Sequence, residues 1–173
     1  MSIVHHIALK LISGKPMPGG RKEFLNWKQV KHVLVIAHDN QLADIVEFVN
    51  RCKQDSIRVM VAILYQGKAE HAPKPHFDHV ILDKKQFSFL GLPTEACLSQ
   101  LSGTSYDVLI NLGSATQLKA LALSKLLPAK CKVSSFQDAI FDLSIDSDKN
   151  LHISEYLKQV VVYLNMINPS TTV

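Results

Sequence analysis

Tyr106-Asp-Val-Leu-Ile-Asn-Leu-Gly-Ser114, followed by a leucine-rich segment and then Cys131-Lys-Val-Ser134, is the stretch that decides the fold. Val108, Leu109, Ile110 and Leu112 form an apolar run with almost no alternation, as a strand does when helices cover both of its faces in a parallel sheet. Gly113 allows a sharp turn. Ser114 is placed to cap the next helix, with Gln117 three residues later reaching back to it in a capping box. That helix carries Leu118, Leu121, Ala122, Leu123, Leu126 and Leu127, so it is apolar around much of its girth and should touch a second element besides the sheet. Pro128 ends it. Cys131–Ser134 is then the next strand, and the whole makes one strand-helix-strand unit.

The same grammar recurs upstream. His32-Val-Leu-Val-Ile-Ala37 reads as a central strand, and Asp39 or Asn40 can cap a helix in which Leu42, Ile45, Val46, Val49 and Cys52 recur at helical spacing. Ile57–Leu64 is the next strand, reached through a crossover expected to be right-handed. Phe77–Leu82 gives a third short strand, and Phe87, Phe89, Leu90 and Leu92 form an aromatic and aliphatic patch before Pro93, suited either to covering the core edge or to a homodimer contact. Thr94 can cap a short helix through Leu101. Ala139–Asp146 alternates like an edge strand, and Leu151–Ile167 is a closing helix with Ile153, Leu157, Val160, Val161 and Leu164 at core spacing and Tyr156, Tyr163 and Met166 widening its apolar face. Strands alternating with helices predict an α/β three-layer sandwich, with a mostly parallel Rossmann-like sheet of five or six strands and helices on both faces.

The chain has 173 residues, 47% of them hydrophobic, enough for one well-packed domain and short for two. The expected division is a basic N-terminal arm and linker at 1–27, one domain at 28–168 and a frayed tail at 169–173. Residues 1–31 hold Lys10, Lys15, Arg21, Lys22, Lys28 and Lys31 against Glu23, a net of +5, which leaves −1 for the remainder of a chain whose total is +4. The basic character therefore belongs to the arm, which argues against a broad nucleic-acid-binding face. Ile3–Ile12 can form a short helix with Ile3, Ile7 and Leu11 on one side, packed on the domain edge or touching an anionic membrane surface peripherally. No apolar run is long enough for a transmembrane helix, and the first residues do not form a signal peptide, so a cytoplasmic location is expected. Cys52, Cys97 and Cys131 are far apart, odd in number and set in apolar patterns, which reads as buried thiols and not as a disulfide framework or zinc site.

Function is sought where strand order reverses in such sheets, beyond the carboxyl ends of the strands. If the strands ending at His38 and Asn111 are neighbours, His38, Asp39, Gly113, Ser114 and Thr116 gather there as candidate ligand-binding residues. Histidine exchanges protons near neutrality and Asp39 can orient it. The helix start after Gly113 can hold an anion. Neither G-x-G-x-x-G nor G-x-x-x-x-G-K-[ST] occurs, so no dinucleotide or P-loop cofactor is expected. His71, His76 and His79 lack a structural-zinc spacing, so no metal is expected either. Asp142 and Asp146 share a strand face, but a rise of about 3.3 Å per residue sets their backbones roughly 13 Å apart, too far for one shared carboxylate site.

Tyr106–Ser134, with Phe141-Asp-Leu-Ser-Ile-Asp146 and Tyr163-Leu-Asn-Met-Ile-Asn168, resembles a small family of unknown function found chiefly in Bacteroidetes, over about Phe24 to Asn168. The 106–134 unit is also distantly similar to one nucleotide-fold half of heptosyltransferase-like glycosyltransferases. There Asn111 stands where such sequences often carry an acid, and Ser134 stands where a glycine often follows. The resemblance implies a bacterial protein, and a well-specified core without cofactor loops, nucleophile-base pairs or metal spacing points to a non-catalytic binding or interaction domain for a protein partner. The alternative is a solitary glycosyltransferase-like or nucleotide- or anion-binding domain with a site at the five residues named above.

Overall fold

The computed structural model of the chain describes residues 7, 10–12, 14, 25–67, 69–145 and 151–167. Most of the Ile3–Ile12 segment, the linker before Leu25, Asp146 and the 169–173 tail lie outside the described residues. Ile7, Lys10, Leu11, Ile12 and Gly14 are helical; Ile12 is buried, whereas Ile7 and Leu11 are exposed.

The elements run β1 (His32–His38), α1 (Leu42–Gln54), β2 (Arg58–Leu64), β3 (His79–Leu82), α2 (Glu95–Ser102), β4 (Tyr106–Asn111), α3 (Leu118–Leu126), β5 (Ala129–Ser134), β6 (Leu143–Ser144) and α4 (Ile153–Met166). The six strands form one sheet in the order β3-β2-β1-β4-β5-β6. Every pairing is parallel. Order therefore reverses between β1 and β4, as in doubly wound nucleotide folds.

Why the strands read as unbroken apolar runs follows from the two cores. Successive strand side chains point to opposite faces. Val33, Val35, Val61, Ile63, Val108, Ile110 and Val133 face one core, which Ile45, Phe48, Val49 and Cys52 of α1 close together with Leu157, Val160, Val161 and Leu164 of α4. Leu34, Ile36, Ala62, Leu64 and Leu109 face the other, closed by Cys97 and Leu101 of α2 and by Ala120 and Leu123 of α3. This is the expected three-layer sandwich. With a core on each side there is no wet face to alternate with.

Three expectations change in detail. Val46 is exposed, and Phe48 takes its place in the core, because the face of α1 toward the sheet is centred on Ile45 and Cys52. Tyr163 and Met166 lie on the outer side of α4 instead of widening its buried face. Of the described residues of the alternating segment Ala139–Asp146, only the two of β6 are strand. Before β6 the backbone is used by a turn. Asp138 accepts from Ile140 N at 2.9 Å through its carboxylate and from Phe141 N at 3.1 Å through its carbonyl, and Phe141 stacks edge-on against Phe136 at 5.3 Å.

The amino end of the sheet is held by Asp107. Its carboxylate accepts from the amides of Lys31 (2.8 Å) and His32 (3.0 Å) at the start of β1, and pairs with Lys130 Nζ of β5 at 3.0 Å. Burial raises the carboxyl pKa, but the two amides and the Lys130 ammonium outweigh it and hold the group below its ordinary 3.8. A carboxylate lowered in this way stabilises the fold fully above the unfolded value, and that stabilisation is lost as pH falls through the lower folded value. Replacing Asp107→Ala leaves two amides unanswered and should cost on the order of 3 kcal/mol in urea unfolding at neutral pH. The gap between wild type and variant should narrow as pH drops below 3.8.

Candidate functional site

The reversal point is built from the carboxyl ends of β1 and β4. Val33 to Ile36 pair with Val108 to Asn111, and beyond the ladder Leu112 N still donates to Ile36 O at 2.9 Å. This extension brings His38 and the turn at Gly113 to the same end of the sheet. Gln41 joins them: its Oε1 accepts from His38 N at 2.8 Å and its Nε2 donates to Leu112 O at 3.1 Å. Gln41 was not among the residues singled out from sequence, since a glutamine in a helix approach carries no spacing or chemistry that marks it. Asp39 opens the short 3-10 turn Asp39–Gln41 and is exposed. It does not cap α1 through its side chain, because that turn intervenes and α1 begins at Leu42.

The second side of the crevice is the turn from Asn111 to Gln117. Gly113 N donates to Asn111 Oδ1 at 2.7 Å and Ser114 N donates to Gln117 Oε1 at 2.8 Å. The glutamine half of the expected capping box is therefore present. The serine half is absent: Ser114 Oγ lies 3.1 Å from Thr116 Oγ1, and α3 starts only at Leu118. Both Ser114 and Thr116 are exposed. Gly113 is required by proximity. A Cβ there would stand 2.7 Å from Gln117 Oε1, 2.8 Å from Ala120 Cβ and 2.9 Å from Asn111 Oδ1. Glycine thus lets the first turn of α3 descend onto the end of β4, and the amides of Gly113 and Ser114 are spent on side-chain oxygens of the turn itself.

Two buried polar atoms at this end have no hydrogen-bond partner among the described residues: Asn111 Nδ2 and His38 Nε2. Asn111 is 0% exposed. Its neighbour Gly113 N can only donate, so the amide oxygen must face it and the NH₂ must point away.

Elsewhere, Ser135, Phe136, Gln137, Asp138, Asp142 and Ser144 line an open hollow of about 950 Å³ beyond β5, unmarked in the sequence because it is formed by the turn that replaces the expected strand. Its acids are engaged locally, Asp138 with Ile140 N and Asp142 with Lys132 N at 2.9 Å. His79 Nδ1 lies 2.8 Å from Phe77 O, and no group of three or more metal-binding side chains converges among the described residues. No described helix is long and apolar enough to cross a membrane. Cys52, Cys97 and Cys131 are buried and form no disulfide. Burial pushes the Cys52 thiol up to about 12, with Asp55 adding to it, and the Cys97 thiol to about 11. Such thiols are poor nucleophiles at neutral pH.

With this geometry in hand, comparison with known families gives one match, a family of unknown function (DUF6913) over residues 9–167. The chain belongs to this family. No curated protein and no solved structure matches the DUF6913 chain.

Gly113→Ala should lower stability by about 2 kcal/mol, because helix and strand must move apart to admit the methyl. A melt should show the loss as a Tm lower by roughly 5 °C. Titration with Ellman's reagent at mildly alkaline pH should leave all three thiols of the native protein unreacted over the time in which unfolded chain reacts completely.

Proposed function

We propose that this DUF6913 chain is a non-catalytic binding domain that holds a protein partner through the loop Phe87–Pro93. The observation that carries this is Phe89, which is 88% exposed at the tip of an ordered loop. The loop is closed by an isolated bridge between Phe87 and Pro93, by Ser88 N to Leu92 O at 2.7 Å and by Leu92 N to Ser88 Oγ at 3.2 Å. Gly91 takes a positive φ of 75° that favours glycine, and it abuts Leu118 at the start of α3. Phe87 is buried as the anchor, with Lys119 Nζ 4.7 Å above its ring.

An aromatic side chain fixed in water by its own loop is the form of a preorganised anchor: it offers large apolar area with little ordering cost on association. Lys84 and Lys85 are exposed just before the loop, and Lys119 lies over its buried anchor Phe87. The complementary surface is an apolar pocket rimmed by acidic groups. A second reading, a domain for a small anionic ligand at His38, Asp39, Gly113, Ser114 and Thr116, is favoured by the reversal of strand order between β1 and β4.

A photo-crosslinking phenylalanine analogue placed at position 89 of the full chain in cells tests the first reading, with the same probe at exposed Lys53 as control. The expected result is a discrete adduct from position 89 that high salt weakens. An adduct of twice the chain's mass makes a second copy the partner, and identical patterns from both positions overturn the proposal. Phe89→Ser should change stability by no more than about 0.5 kcal/mol, so loss of the adduct's partner in pull-down is not a folding effect.

A further inference from the structure

We propose that Asn111 and His38 form the floor of an oxyanion site beneath the first turn of α3, taking a carboxylate or phosphate oxygen of a small molecule. This rests on the ligand-binding reading of the β1–β4 crevice and names its chemistry. Leu34 and Ile36 face the α3 side of the sheet, and His38 continues their alternation on β1. Leu109 faces the same side on β4, and Asn111 continues it. Since Ile36 pairs with Asn111, His38 lies two residues beyond it on the neighbouring strand, so the two side chains are diagonal neighbours on one face. Asn111 Oδ1 and Ala120 Cβ both crowd the same point beside Gly113, which places the Asn111 carboxamide directly under the start of α3.

The polarity of the groups selects the ligand. The Asn111 NH₂ can only donate, and its oxygen is held by Gly113 N, so it requires an acceptor. His38 Nε2 donates in one tautomer and always when protonated. The first amides of a nine-residue helix, from Leu118 onward, have no acceptor within the helix and carry its positive end. Ser114 and Thr116 add hydroxyls at the exposed mouth. The Asn111 NH₂ and the helix amides can only donate, the imidazole and the two hydroxyls can do so as well, and a group with acceptors alone and negative charge is an oxyanion. Leaving a buried amide donor unanswered is costly, which is a reason for a polar floor in an otherwise apolar layer. Asp39 is also exposed at the rim, and its carboxylate opposes heavily charged ligands. Gln41 spans the crevice from His38 N to Leu112 O and is the side chain that must swing aside for entry.

The test uses ¹⁵N-labelled full chain titrated with inorganic phosphate and, separately, with acetate, followed through backbone amides and the Asn111 side-chain NH₂. Saturable movement of the Asn111 NH₂ together with the Leu118–Ala120 amides is the expected result, and the anion that saturates at lower concentration identifies the source chemistry. His38→Leu, which keeps the backbone bond to Gln41, should weaken that binding about tenfold, the loss of one hydrogen bond to a charged group. Should the rim amides of Ser114 and Thr116 saturate while Asn111 stays still, the ligand-binding reading stands and the assignment of its floor fails. If no amide at this end of the sheet moves in tens of millimolar of either anion, both are overturned. The wild-type spectra alone decide, whatever the folding of the variant.

Discussion

Val33 to Ile36 of β1 lie parallel to Val108 to Asn111 of β4, and the rest of the molecule depends on that contact. His32 is 75 residues from the Asp107 that receives its amide, so the pairing closes a long loop. Closure entropy grows only logarithmically with loop length, about 4 kcal/mol at this separation. Val33, Leu34, Val35, Ile36, Val108, Leu109 and Ile110 are all fully buried once the helices cover the paired strands, at roughly 2 kcal/mol each, so a few of these residues offset the closure. Once the two strands are side by side, β2 and β3 can extend the sheet only one way and β5 and β6 only the other. Both helical layers then have a surface to cover.

Much of this was legible because burial on two faces leaves a strong trace in sequence. His32–Ala37 and Tyr106–Leu112 announce covered strands, and Thr94 announces the start of α2, where its hydroxyl accepts from Cys97 N at 3.2 Å. What did not show was decided by contacts between distant residues. Val46 and Phe48 are equally plausible at helical spacing, and only the approach angle of α1 to the sheet chooses between them. The hydroxyl of Ser114 turned to Thr116 because Gln117 alone satisfied the turn. The turn ahead of β6 came from the Asp138 carboxylate and the Phe136–Phe141 stack, neither visible in an alternation of polar and apolar residues.

The candidate crevice was legible as a place and not as a mechanism. His38, Asp39, Gly113, Ser114 and Thr116 stand at one end of the sheet because strand order reverses there. Yet the side chains that define its interior, Gln41 and Asn111, sit in patterns with no distinguishing spacing. Asn111 lies in an apolar strand, where its amide oxygen steadies Gly113 and its nitrogen is left without a partner among the described residues. The exposed Phe89 is a different kind of feature, since its loop is fixed by local hydrogen bonds and owes little to the sheet.

Asn26 sits ahead of β1, between buried Leu25 and Trp27, and its Nδ2 donates at 2.9 Å both to Asn165 O in the last turn of α4 and to Ile167 O just beyond it. Trp27 in turn stacks near Phe48 of α1 at 6.1 Å. The segment ahead of β1 and the end of α4 are thus buttoned to each other by one carboxamide. Removing the last turn of α4 with Ile167 would take both acceptors from Asn26 and loosen Trp27 from its seat, so damage at the end of α4 is felt ahead of β1.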